Sequence, residues 1–218
     1  MPSSTVENYV KKILLAEQEL DGAYVSMGAV AKALEVTPGT ATAMLKSLAQ
    51  NGLADYEPRH GAKLTEKGRT LALRMLRKHR IVESYLVEAL GLDWSEVHVE
   101  AEKMEHAISD RVLDCMDAKL GHPTVDPHGY PIPSSGGAMD IRKYTGLAEA
   151  VCGKKYRIER VSEQSAEFLQ FLNERGLRPG TYIEISSRNE AADVITLSNE
   201  SGHVVTMGFN AAGKVFVS

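Results

Sequence analysis

Residues Ser26–Leu64, SMGAVAKALEVTPGTATAMLKSLAQNGLADYEPRHGAKL, carry the pattern that decides the fold. Ser26 is placed to cap a short helix running to Leu34, with Met27, Val30, Ala31 and Leu34 on its inward side. Glu35-Val36-Thr37-Pro38-Gly39 then makes a turn. Either Thr37 caps the next helix with Pro38 in its first turn, or the cap lies one or two residues later. That helix runs to about Gln50 and stops at Asn51-Gly52. Leu53–Glu57 and Ala62–Leu64 flank Pro58-Arg59-His60-Gly61 and read as the arms of a hairpin. Upstream, Val6, Val10, Ile13, Leu14 and Leu20 share one face of a helix that Asp21-Gly22 ends. Downstream, Thr65 starts another helix, which continues through the basic run Arg74, Arg77, Lys78, Arg80. A helix, a helix–turn–helix and a two-stranded wing form the layout of a winged helix-turn-helix DNA-binding domain.

Within that layout the third helix opens with small and hydroxylated residues, Thr37, Gly39, Thr40, Thr42 and Ala43, which can approach phosphates and thymine methyls closely. Met44, Leu45 and Leu48 face the core, and Arg59, His60 and Lys63 at the wing are placed for the phosphate backbone. Arg, Gln and Asn are missing from the start of the helix, so shape readout and phosphate positioning are expected to carry much of the recognition. The competing reading is an all-helical interaction domain that never meets DNA.

A second signal lies at His98, Glu102, Glu105 and His106. On one helix their spacing puts all four within an arc of about 100°. Beside them Val97, Ala101, Met104 and Ile108 form an apolar stripe, on a helix introduced by Trp94-Ser95 and reaching about Leu113. Imidazoles and carboxylates at the edge of a packed face are the donors a divalent transition ion takes. His79 and Glu83 add a pair one turn apart on the stretch Arg74–Leu90. A single such pair is ordinarily a wet helix face of little energetic weight; two sets on neighbouring helices favour metal.

The rest of the chain sets bounds. It has 218 residues, 43% hydrophobic, enough for two or three small domains. No stretch resembles a signal peptide or a membrane span, and Cys115 and Cys152 stand far apart outside any C-x-x-C arrangement, so a reducing cytoplasm is expected. Net charge is −4 but unevenly spread: 12 Lys+Arg against 8 Asp+Glu in residues 1–80, 3 against 12 in 81–140, and 10 against 9 in 141–218. The basic front suits a polyanion, while the acidic middle repels itself unless cations offset it. Residues 121–133 hold four of the eight prolines and read as a surface loop in which His122, Asp126 and His128 are incidental; Ser134-Ser135-Gly136-Gly137 reads as flexible. From Val151 the pattern turns to strands at Tyr156–Val161, Thr181–Ser186, Val194–Leu197, Val204–Phe209 and Lys214–Val217, with a short helix at Gln164–Glu174, a spacing that fits a small SH3-like β-barrel. The expected fold is therefore mainly α with small β elements: a winged helix-turn-helix over 1–73, a helical dimerisation and metal-binding domain over 74–140, a linker over 141–150 and an SH3-like barrel over 151–218.

These residues together resemble the diphtheria toxin repressor family of metal-dependent transcription regulators, which includes manganese transport regulators. The resemblance spans essentially the whole chain and rests on Ser4–Tyr9, Val36–Thr42, Leu64–Gly68, Arg77–Arg80, Glu102–Asp110 (EKMEHAISD) and Pro131-Ile132-Pro133. It implies a homodimer that binds a palindromic double-stranded operator, activated by Mn²⁺ or Fe²⁺ at two sites per subunit, with no membrane and no small organic substrate among its partners. Carried over, it implies a primary site of Asn8, Glu102, Glu105 and His106, and an ancillary site of His79, Glu83 and His98 to which Gln164 and Glu167 of the C-terminal domain add ligands. Three positions depart from or discriminate within the pattern. Asn8 stands where iron-type relatives carry Met and manganese-type relatives Asp. Lys11 stands where some manganese regulators carry a Glu ligand, which argues against a binuclear site of that design. Glu102 stands where iron regulators often have Cys, and a hard carboxylate favours Mn²⁺.

Two other classes compete with this reading. A metallohydrolase lacks support, since the sequence has no H-E-x-x-H, nucleophile elbow or glycine-rich phosphate loop, and no catalytic residue is assigned. A winged-helix regulator of a non-metal effector predicts DNA affinity indifferent to chelators.

Overall fold

The structure is a computed structural model and describes residues 2–20, 22–162 and 165–218. Its contacts divide into two compact units, neither continuous in sequence: Met1–His79 with Glu105–Ile108 and Pro133–Met139, and Arg80–Met104 with Ser109–Ile132 and Asp140–Ser218.

In the first unit, helix α1 (Ser4–Glu19) is capped by Ser3, whose hydroxyl accepts from the Val6 amide, and buries Tyr9, Val10, Ile13 and Leu14. Helix α2 (Met27–Ala33) starts at Ser26 as expected. Thr37 is the cap of α3 (Pro38–Gln50): its Oγ1 accepts from the Thr40 amide at 3.2 Å, which decides between the two starts left open above. Strands β1 (Ala54–Glu57) and β2 (Gly61–Leu64) pair antiparallel from Ala54↔Leu64 to Glu57↔Gly61, forming the wing. Arg59 at its tip adopts φ +73°, the left-handed conformation a tight turn demands. Thr65 Oγ1 then accepts from the Gly68 amide at the head of α4 (Glu66–Glu88). Ala41, Leu45, Leu48, Val25, Val30, Leu53 and Leu64 close a single core with α1. Glu17, almost wholly buried, ties three elements: its carboxylate accepts from the Leu64 amide of β2 and from Arg69 of α4.

In the second unit, α4 continues from Arg80 and is followed by α5 (Val97–Met104) and α6 (Asp110–Lys119). Among the described residues a six-stranded antiparallel sheet follows, in the order β3-β8-β4-β5-β6-β7. Its strands are β3 (Thr145–Gly146), β4 (Lys155–Val161), β5 (Tyr182–Asn189), β6 (Val194–Asn199), β7 (Val204–Met207) and β8 (Val215–Val217), with α7 (Ala166–Glu174) and α8 (Phe209–Ala212) between them. Thr145–Gly146, inside the stretch read as linker, pairs with β8. Trp94, ahead of α5, belongs to the same core as Ile158, Leu169, Leu172, Ile183 and Leu197, so helical segment and barrel are packed as one body in this unit.

Two expectations need correction. The helix through His98 does not reach Leu113: α5 stops at Met104, and α6 begins anew at Ser109, whose hydroxyl accepts from the Val112 amide. Glu105 and His106 therefore sit in a turn rather than on the helix face shared by His98 and Glu102. The proline-rich segment is not simply a surface loop either. His128 is fully buried and Asp126 nearly so. The His128 carbonyl accepts from the Val161 amide of β4 at 2.9 Å, and the Arg80 and Arg160 guanidinium groups stack on the Tyr130 ring at 5.2 and 5.1 Å. Only His122 keeps the expected character, exposed and paired with Asp117 at the end of α6.

Candidate metal centre

The first cluster is built around Glu105. Because α5 has ended, its side chain is free to turn inward, and it is completely buried. The turn that carries it is held by Lys78, whose ammonium donates to the Ile108 carbonyl at 2.6 Å. Helix α1 presents Glu7, Asn8 and Lys11 towards the same place. Lys11 Nζ lies 2.6 Å from Glu105 Oε1 and 2.9 Å from Oε2. His79 Nδ1 is 2.7 Å from Glu105 Oε2, and His106 Nε2 is 3.5 Å from Oε1. His106 also meets α1 directly: Nδ1 is 2.7 Å from Glu7 Oε2, and Nε2 is 3.0 Å from Asn8 Oδ1. Of the four residues expected in one site, Asn8, Glu105 and His106 come together here, while Glu102 lies beside His98. Glu7 joins them unannounced, although its position next to Asn8 and one turn before Lys11 was the available signal.

The second cluster centres on Glu83. Its Oε1 is 3.1 Å from His98 Nδ1, and His98 Nε2 is 3.7 Å from Glu102 Oε1. On its other side Oε2 lies 3.8 Å from His128 Nδ1. Glu83, Asp126 and His128, all buried, offer donor atoms within 4.8 Å of one another. His128 Nε2 faces the Trp94 carbonyl at 2.9 Å, and since a carbonyl only accepts, that nitrogen donates. In the neutral ring Nδ1 then carries a lone pair, and it has no hydrogen-bond partner. A buried lone pair facing a carboxylate is costly unless something positive lies between them. Asp126 is held by the amides of His128 and Tyr130 and by Arg80 at 3.4 Å. Burial nevertheless pushes its carboxyl above the usual range, with the charge of Glu83 adding to the shift and Arg80 and His128 opposing it.

Nitrogen and carboxylate donors in both clusters suit a divalent ion of the Mn²⁺ or Fe²⁺ kind, and the buried His128 Nδ1, without a hydrogen-bond partner, is a donor such an ion could use. His79 sits one turn before Glu83 on α4, with its Nδ1 directed to Glu105. Glu167 is exposed in the first turn of α7, and Gln164 lies outside the described residues.

For the DNA-facing candidates, Thr37, Gly39, Thr40 and Ala43 are exposed on α3, and Arg59 and His60 on the wing, while Thr42 and Lys63 are half-buried. Thr42 spends its hydroxyl on the Pro38 carbonyl at 2.7 Å. Lys46 is exposed three residues after Ala43, hence on the same helical face.

Comparison with known proteins places the chain among its relatives. Residues 1–62 match the family model "Iron dependent repressor, N-terminal DNA binding domain", residues 65–134 match "Iron dependent repressor, metal binding and dimerisation domain", and residues 145–218 match "FeoA domain". The diphtheria toxin repressor of Corynebacterium diphtheriae is 30% identical over 212 residues, covering 92% of this chain and 91% of that protein. The iron-dependent repressor IdeR of Mycobacterium tuberculosis is 36% identical over 129 residues, 59% of this chain, and the match spans only 55% of IdeR. Among solved structures, a manganese-dependent transcriptional repressor in complex with manganese superposes with a TM-score of 0.88 at 34% identity, covering 98% of this chain and 99% of that one. ScaR with bound Zn²⁺ gives 0.76 at 29% identity, covering 100% and 99%. By these matches the chain belongs to the diphtheria toxin repressor family of metal-dependent transcriptional repressors.

Proposed function

We propose that this chain is itself a metal-dependent repressor of metal-ion homeostasis, activated by Mn²⁺ with Fe²⁺ as the alternative ion, and that it binds palindromic operator DNA as a homodimer in the cytoplasm. One observation carries the reading: the buried Glu105 and its neighbour His106 converge with Asn8 on α1, the helix that packs against the helix–turn–helix. Asn8, Glu105 and His106, with Glu7 beside them and Glu102 as the fourth carried-over ligand, form the primary site in this proposal. Glu83 and His98, with His79 one turn earlier on α4, form the second. The orphaned nitrogen of His128 and the buried Asp126 support extending that site to the loop. When bound, an ion supplies positive charge and fixed directions to these donors.

The chain's own residues do the rest. Val10, Ile13 and Leu14 fix α1 to the core that includes α3, so whatever fixes Asn8 and Glu7 against the 105–108 turn also restrains α3. Lys78 and His79 anchor that turn to α4. Thr37, Gly39, Thr40, Ala43 and the half-buried Thr42 then face the groove, with Arg59, His60 and Lys63 at the phosphates. By linkage, operator DNA must tighten metal binding by the factor by which metal tightens DNA binding, a coupling on the order of 1–3 kcal/mol.

The test is binding of chelator-stripped full-length protein to its own upstream DNA at fixed salt, titrated with Mn²⁺ and, anaerobically, Fe²⁺. Tight, sequence-specific binding should appear only with metal and vanish in His106→Ala, whose circular dichroism stays native. Equal binding with and without metal would return the chain to the class of regulators with another effector.

A further inference from the structure

The first cluster already contains a cation, and the chain supplies it. Lys11 Nζ lies between the two oxygens of Glu105, at 2.6 and 2.9 Å, and the two side chains are 2% and 0% exposed. An exposed Lys–Glu pair at these distances would carry little weight. Burial changes that, because each ion has given up its hydration and is tolerated only while the other stays in place. Nor is the ammonium there through loose reach: the neighbouring α1 residues Val10, Ile13 and Leu14 are wholly buried, so the backbone that delivers Lys11 is fixed. Glu105 is saturated as a result, with Lys11 on both oxygens, His79 on Oε2 and His106 near Oε1.

A divalent ion binds a carboxylate oxygen at about 2.0–2.2 Å. It cannot take that position while an ammonium occupies the notch between the same two oxygens, since the two positive charges would then lie side by side in a poorly screened interior. From this we infer that Lys11 is a tethered competitor of the metal: its ammonium holds Glu105 in the metal-free protein, and the ion binds only by displacing it. Two consequences follow. The primary site is weaker than its donors alone would make it. The metal-free protein also keeps α1 joined to the 105–108 turn, so it retains part of the arrangement that the ion would otherwise have to create. Lys11 is thus a positioning residue that sets both the threshold and the baseline of the response. The inference rests on the reading of Glu105 as a ligand.

The experiment follows free Mn²⁺ by electron paramagnetic resonance while the ion is titrated into stripped full-length wild type, Lys11→Met and Glu105→Gln. Wild type should show a site that Glu105→Gln loses, and Lys11→Met should fill that site more tightly by more than about tenfold. Metal-free Lys11→Met should bind operator DNA more weakly than metal-free wild type. If Lys11→Met and wild type share one affinity while Glu105→Gln loses the site, competition by Lys11 is overturned and metal sensing stands. If Glu105→Gln fills every site as wild type does, the assignment of Glu105 as a ligand fails first. Should Lys11→Met not fold, Lys11→Gln takes its place, and wild type alone gives a second readout by amine acetylation and mass spectrometry. Lys11 should be protected without Mn²⁺ and modified when Mn²⁺ saturates the protein; protection in both states overturns the proposal.

Discussion

At the scale of single residues, the candidate ligands were easier to read than their company. Glu105 and His106 are legible as candidates because donor type and spacing are local properties, whereas Asn8 is a candidate only through the family resemblance. That Lys11 reaches Glu105 across 94 positions is not local, and nothing in the sequence alone ranks that partner over a solvated lysine. His128 shows the same limit. Amid Pro127, Gly129 and Pro131 it looks incidental, because proline and glycine report an irregular backbone and say nothing of burial. Its burial comes from β4 and Trp94, 33 positions later and 34 earlier. The unpaired Nδ1 makes a specific prediction. His128→Ala should weaken the second ion by at least about tenfold, measured by calorimetric titration of Mn²⁺, and leave the Glu105-dependent site unchanged. Two unchanged affinities would remove His128 from the site.

At the scale of elements, the winged helix was legible almost in full because its punctuation is local. Ser26, Thr37-Pro38 and Asn51-Gly52 mark helix ends in the sequence, and each mark is used in the structure. The interruption after Met104 was hidden by a periodicity that continues through it: Ala101, Met104 and Ile108 keep helical spacing although the backbone between α5 and α6 does not. Ser109 was the overlooked signal, a cap residue followed by Asp110 in the first turn. Its hydroxyl bonds the Val112 amide, so Ser109→Ala should cost about 1 kcal/mol of stability in urea unfolding, and Ser109→Asp should recover most of it. An aspartate as poor as alanine would mean that the start of α6 is fixed by packing rather than by its cap. The turn ahead of that cap carries Glu105 and His106, so the interruption is what frees both side chains from the α5 face and lets them reach α1.

At the scale of the whole molecule, charge and exposure together bear on assembly. Residues 81–140 hold 12 acidic against 3 basic side chains, an excess that opposes self-association unless the contact itself is apolar or a bound cation offsets it. Helices α5 and α6 do expose apolar side chains within this acidic stretch: Val99 is 59% and Val112 45% exposed. Single exposed valines are ordinary, but both belong to the segment matching a family's metal-binding and dimerisation domain. In the proposed homodimer they are the residues to charge. Val99→Asp combined with Val112→Asp should bring the mass in sedimentation from twice 23.8 kDa to the single-chain value. Operator affinity should fall by more than about tenfold, since one subunit reaches a single half-site and loses the joint contact that a palindrome offers. Mn²⁺ binding at the Glu105-dependent site should persist, because Asn8, Glu102, Glu105 and His106, the ligands proposed for it, all belong to one chain. A double variant that stays dimeric would move the interface off these helices, whereas a monomer that has also lost the Glu105 site would show that the site is completed by assembly.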